Sequence, residues 1–159
     1  MNSIMTGHYP IFEEYQAMRS QLMQTLSDSD LAFTPGGSNS TLGALCKELG
    51  EVERAYIDSF KTFTLDFSYR NNTAGLDNSV QQLVAWFEAL DAELKETVAG
   101  LSPEDISGRR IVRGPTFSLP PQTQLAIYQE ALLIFYGKVM VYLNARQMTP
   151  PKQMRDWLD

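Results

Sequence analysis

The stretch "ALLIFYGKVMVYLNA", residues 131–145, carries one charge, Lys138, and no proline that would stop a helix. Its apolar residues do not keep to one side. On a helical wheel Tyr128, Phe135, Val139 and Tyr142 share one face, while Leu133, Tyr136, Met140 and Leu143 lie largely on another. A soluble helix of this kind needs two covers: one face fills a core, and the second must be buried by something else. The segment therefore predicts a core helix in an all-helical domain.

Working outward, three more segments repeat apolar residues at helical spacing, separated by runs of glycine, proline, serine and asparagine. The first runs from Ile11 to Leu26 through Phe12, Tyr15, Met18 and Leu22. It ends in "SDSDLAFTPGGSNS", where Pro35, Gly36 and Gly37 cannot continue a helix. The second begins after Ser40, a good N-cap, and reaches Phe63. Along it Lys47, Glu51, Glu53, Arg54, Asp58 and Lys61 read as a polar side, opposite Leu45, Leu49, Val52, Tyr56, Phe60 and Phe63. The third starts at the capping oxygens of Asp77, Asn78 and Ser79 and passes through Val84, Phe87, Leu90, Leu94 and Val98 to Gly100. Between Leu101 and Pro121 the pattern is lost, apart from an extended segment around Ile111 and Val112. The fourth runs from Gln122 to Ala145, and "TPP" at 149–151 closes it. The amphipathic tail "KQMRDWLD" suits one further turn. With no strand pair in view, residues 1–159 read as a single all-α domain, a four-helix bundle. The long second and third connections point away from simple up-and-down connectivity.

Composition narrows the function. A hydrophobic share of 43% in 159 residues is enough for a core without metals or disulfides. No apolar stretch reads as long enough to span a bilayer, and "MNSIMTGHYPIFEEYQ" lacks the basic end and apolar run of a secretory signal, so no membrane partner and a cytoplasmic location are expected. A net charge of −6 argues against nucleic acid. Arg109, Arg110 and Arg113 in "GRRIVRG" read as a solvated loop, with contact to an anionic ligand as the alternative. Cys46, the one cysteine, cannot form an internal disulfide and reads as a buried helix residue. "TPGGSNSTLG" lacks the lysine of a phosphate loop, and His8, the one histidine, has no second histidine with which to build a metal site. Glu13-Glu14 and Glu51-Glu53 read as exposed helix charges.

Three motifs carry a resemblance. "STLGALCKELGEVERAYIDSF" resembles the second helix of the DinB-like superfamily, and "GKVMVYLNARQMTPP" the end of its fourth, with a glycine, a "YL" pair and prolines beyond the helix. "LSDSDLAFTPGGSNSTLG" is similar to the connection between the family's first two helices. The resemblance implies a DinB-like bundle of unusual connectivity, often homodimeric. It also implies a divalent metal held by three histidines, one on the second helix and two, four residues apart, on the fourth. This chain departs at all three positions, which fall at Glu48, Ala131 and Phe135, just before the matching glycine, Gly137. A methyl and a phenyl cannot ligate a metal, so no metal and no cofactor are expected.

A pocket between the second and fourth helices is expected to persist, lined by Glu48, Val52, Ala131, Phe135, Lys138 and Tyr142. Glu48 sits at the edge of the apolar face between Leu45 and Val52, and Lys138 lies one turn beyond Phe135, within reach for an ion pair with Glu48. Otherwise both are solvated charges. The implied function is a metal-free, stress- or damage-associated binding protein with a small-molecule ligand; the alternative is a thiol-dependent transferase or hydrolase using a carboxylate-held metal or none. The family habit also suggests the second cover for the fourth helix: a homodimer contact through Tyr136 and Met140, with the connections and tail of the same chain as the alternative.

Overall fold

A short helix, α1 (Ser3–Gly7), precedes the first long one and was not legible as helix in the periodicity. The structure, a computed structural model, describes residues 1–158. Asn2 caps α1 by accepting from the Met5 N–H at 3.1 Å, while its amide donates to the Val98 carbonyl at 2.7 Å. Pro10, in the first turn, lets α2 (Tyr9–Thr25) begin two residues before Ile11. The loop after it holds one turn of helix, α3 (Asp28–Leu31), where the Ser27 N–H donates to the Asp30 carboxylate at 2.9 Å.

The second long helix, α4 (Leu42–Thr62), is capped by Thr41 and not by Ser40: the Thr41 hydroxyl accepts from the Ala44 N–H at 3.1 Å. Its end is unusual. Phe63 takes up the left-handed conformation (φ 58°) normally left to glycine. A hairpin supplies the holding force, since Val112 donates to the Phe63 carbonyl at 2.9 Å and Leu65 donates to the Val112 carbonyl at 2.8 Å. After a 3-10 turn (Leu76–Asn78), Ser79 caps α5 (Val80–Ala99). Between the third and fourth long helices lie α6 (Pro103–Gly108), β1 (Ile111–Gly114) and β2 (Phe117–Leu119), the strands pairing antiparallel with Ile111 opposite Leu119. The expectation of no strand pair is thus corrected; strands this short are held by their neighbours and leave almost no periodic signal. Then follow α7 (Pro121–Ala145) and α8 (Lys152–Leu158).

The four long helices form a ring in which α4 packs on α5 and α7, and α2 packs on the same two. Consecutive pairs α2/α4 and α5/α7 therefore face each other across the diagonal, which simple up-and-down winding does not produce. The long connections make this possible. One hydrophobic core joins all four, with Phe12, Met18, Leu22, Leu49, Ile57, Phe60, Leu90, Leu94, Leu132 and Val139 among its members.

Helix α7 is long and apolar enough, by length and composition, to cross a membrane, contrary to the reading from sequence. Within the fold it is a core helix buried on both faces. Phe135, Val139 and Tyr142 are buried, and so are Tyr136, Met140 and Leu143. The second cover comes from this chain: the Tyr136 hydroxyl donates to the Tyr15 carbonyl of α2. Helix α8 closes over α2, where Trp157 meets Tyr15 edge-on at 5.1 Å and Gln153 donates to the Glu14 carbonyl at 3.0 Å. Tyr136 and Met140 are accordingly not free to meet a second copy. The large apolar residues of α7 left exposed are Ile134 and Val141.

Candidate functional site

Helices α4 and α7 leave a cleft of about 160 Å³ between them, lined by Leu45, Glu48, Leu49, Val52, Ala131, Ile134, Phe135 and Lys138. Helical phase explains the grouping. Leu45, Glu48, Leu49 and Val52 recur every three or four residues of α4, as do Ala131, Ile134, Phe135 and Lys138 on α7, so each set forms one wall. The floor is apolar, with Phe135 and Leu49 buried, while the mouth carries two exposed charges, Glu48 from α4 and Lys138 from α7.

Two further depressions adjoin it. One, of about 330 Å³, shares Glu48 and Val52 and adds Glu51, Phe67 and Arg70. The other, of about 270 Å³, shares Leu45, Glu48 and Lys138 and adds Ser38, Asn39, Ser40, Val141 and Tyr142. The loop at that end is pinned by the Tyr142 hydroxyl, which donates to the Ser40 carbonyl at 2.7 Å, and by Arg146, which reaches Asp30 at 2.8 Å.

Of the six residues expected in a pocket, Glu48, Val52, Ala131, Phe135 and Lys138 stand around one cleft. Tyr142 is buried and lines the neighbouring depression instead. The Glu48–Lys138 ion pair does not form: among the described residues neither side chain has an opposite charge within 4.0 Å. The three arginines do not converge. Arg109 lies over the Phe63 ring at 3.4 Å and pairs with Asp105 at 3.3 Å; Arg110 donates to Ser118; Arg113 donates to the Gln124 side chain at 2.9 Å. Each is occupied within the chain, so they do not form a joint anion site. His8 is exposed at the start of α2, where its ring meets the Gln122 amide at 2.6 Å. Cys46 is fully buried, and burial pushes its thiol up to about 12, which makes it a poor nucleophile.

A second cluster was missed from the sequence. Arg19, fully buried on α2, reaches across the diagonal to Glu53 of α4 at 2.5 Å and to Asp91 of the adjacent α5 at 2.5 Å, with its guanidinium 4.1 Å from the Phe87 ring centre. The Gln16 amide donates to Asp91 at 2.5 Å and to Glu53 at 3.4 Å. Glu53 is completely buried, contrary to its assignment to the polar side of its helix. Burial pushes its carboxyl up to about 7 against the pull of Arg19, and the charge of Asp91 adds to the rise. Burial also works against the charge of Arg19, but Glu53 and Asp91 more than offset it and keep the guanidinium protonated. A signal did exist: Arg19 interrupts the stripe Phe12, Tyr15, Leu22, Leu26, and Glu53 interrupts Cys46, Leu49, Ile57, Phe60. Opposite charges on two apolar stripes are what a buried pair leaves in a sequence.

The architecture is that of an all-α four-helix bundle with crossed connections. A DinB superfamily model matches residues 11–135, and the chain belongs to the DinB superfamily. The crystal structure of a DinB-like protein of Bacillus subtilis, YjoA, is similar in fold, with a TM-score of 0.67 at 12% identity, covering 88% of this chain and 92% of that one. No curated protein matches the sequence.

The three positions at which the family resemblance implies metal ligands, Glu48, Ala131 and Phe135, all line the cleft. The residues present do not fit a metal. One carboxylate, one methyl and one phenyl provide a single donor group, and among the described residues no three His, Cys, Asp or Glu side chains stand together in a way that could hold an ion.

Proposed function

We propose that this DinB superfamily member is a metal-independent small-molecule-binding protein whose ligand occupies the cleft between α4 and α7. The observation that carries this reading is the cleft itself: three positions implied for metal ligation line it, and two of them now bear apolar groups that extend its wall. A stress- or damage-associated role rests on the family resemblance alone. The transferase or hydrolase reading finds less support, because the one thiol is buried and no trio of metal-ligating groups is at hand among the described residues.

The test is a titration of the untagged protein with indole, followed by amide chemical shifts. Shifts are expected at Leu45, Leu49, Val52, Ala131 and Phe135, and Ala131→Phe, which fills the cleft from its half-buried wall, is expected to abolish them. Calorimetry with zinc and nickel is expected to give no stoichiometric binding of submicromolar affinity. Indole shifts that map elsewhere sink the cleft reading, and a tight stoichiometric metal sinks its metal-independence.

We also propose a homodimer, formed not through Tyr136 and Met140 but through the stripe Glu130, Ile134, Gly137, Val141 and Asn144. Ile134 and Val141 are 63% and 57% exposed. Between them Gly137 has nothing within 4 Å of the place a Cβ would occupy, so no contact within the chain calls for a glycine in mid-helix. Close approach of a second α7 supplies a reason for it. Sedimentation at about 50 µM, well above the dissociation constant of a stable dimer, is expected to give a dimer for the native protein and a folded monomer for Val141→Glu. A native monomer at that concentration counts against the dimer.

A further inference from the structure

The two charged residues that line the cleft stand on opposite walls, Glu48 on α4 and Lys138 on α7. Both also line the adjoining depression toward Ser40, so they flank one continuous mouth. Among the described residues neither has an opposite charge within 4.0 Å. Opposite charges thus flank an apolar floor, and both are left open to a ligand.

We propose that the cleft takes a free amino acid with a benzene-sized apolar side chain, its ammonium group on Glu48 and its carboxylate on Lys138. The volume, about 160 Å³, sets the size of the side chain; a cavity of roughly 150 Å³ lined by aliphatic and aromatic residues accepts benzene. Leu49, Val52 and Phe135 then surround the ring, and burying it is the main driving force. The rim sets the class. A simple amine answers only Glu48 and leaves Lys138 unpaired, while a simple carboxylic acid does the reverse. A zwitterion answers both with charge-assisted hydrogen bonds. Because both rim residues are exposed, each contact is screened, and the selectivity per charge is modest.

This assignment rests on the cleft being a binding site at all, and three probes on the full chain separate the two claims. L-phenylalanine carries both charges, phenethylamine only the ammonium, and 3-phenylpropionate only the carboxylate. Phenylalanine is expected to bind about fivefold more tightly than either. Glu48→Gln is expected to remove the advantage over 3-phenylpropionate alone, by weakening phenylalanine and phenethylamine while leaving 3-phenylpropionate unchanged. Lys138→Met is expected to weaken phenylalanine and 3-phenylpropionate but not phenethylamine. Both side chains are exposed, so the variants are expected to fold, which circular dichroism checks. If all three probes shift the cleft amides with equal affinity, the zwitterion assignment is overturned while the cleft reading stands. If none of them shifts Leu49, Ala131 or Phe135, the zwitterion assignment is overturned, and the cleft reading falls with it when indole leaves these amides unmoved too.

Discussion

Arg19→Leu is expected to lower the stability of the fold by about 3–5 kcal/mol, the cost of leaving a buried charge without its partner. The guanidinium bridges Glu53 and Asp91 at 2.5 Å each, and Glu53 has no exposed surface through which water could replace it. The loss should be largest at alkaline pH, above the raised value of about 7 for Glu53, where that carboxylate is ionised. Adding Glu53→Leu to Arg19→Leu is expected to recover much of it, because two apolar side chains then meet where two charges stood. Urea unfolding at pH 8 measures all three proteins. A loss below about 1 kcal/mol, the range of an ordinary surface change, contradicts a central role for the cluster.

The same cluster gives the native protein a pH dependence of definite sign. The Glu53 carboxyl is raised in the folded state to about 7 from an unfolded value of about 4.3. The folded protein therefore binds more protons than the unfolded chain between these limits. Its contribution to stability is fully present below about pH 4.3 and is lost as the pH rises through about 7. Unfolding midpoints should fall between pH 5 and pH 8, and Glu53→Gln should flatten that slope. Glu93 acts in the opposite sense and at lower pH. Hydrogen bonds from Arg54 and Lys61 hold it down to about 2, so its contribution is present above the ordinary carboxylate range and is lost on acidification toward pH 2.

Gly43→Ala is the second large effect, at about 3 kcal/mol, the upper end for overfilling a well-packed interior. Helix α4 runs so close to the turn before α5 that an added Cβ would stand 1.8 Å from the Asp77 carbonyl oxygen and 2.9 Å from its carbon. Backbone cannot swing aside as a side chain can. The turn must move as a unit and draw buried Leu76 with it. The same substitution at Gly137 has the opposite sign: open space surrounds that position, and alanine gains up to about 1 kcal/mol of helix propensity in the monomer. Thermal unfolding of the two variants at low concentration checks the contrast. Equal shifts would show that α4 and the Asp77 turn yield easily.

Much of this was legible in the residues alone because it is local. Each long helix announces itself through apolar residues three and four apart, and its ends through serine, glycine and proline, since capping and φ restriction act within a few residues. Helical phase likewise put Leu45, Glu48 and Val52 on one wall and Ala131, Phe135 and Lys138 on another before any contact between the walls was known. That both walls meet in one cleft followed from the resemblance, not from spacing.

What only the tertiary structure decided depends on partners distant in sequence. The ring order of the helices is set by how they share one core, so α2 and α4 lie on a diagonal although they are consecutive. The second face of α7 is covered by α2 of the same chain and not by Tyr136 and Met140 of a second copy; an apolar face states that it must be buried, but not by what. The hairpin and the left-handed Phe63 hold each other, and neither has a local preference strong enough to be read alone. Arg19 and Glu53 are the sharpest case. Each interrupts an apolar stripe of its own helix, which marks a charge on a buried face, but only the tertiary fold brings the counter-charge from another helix to meet it.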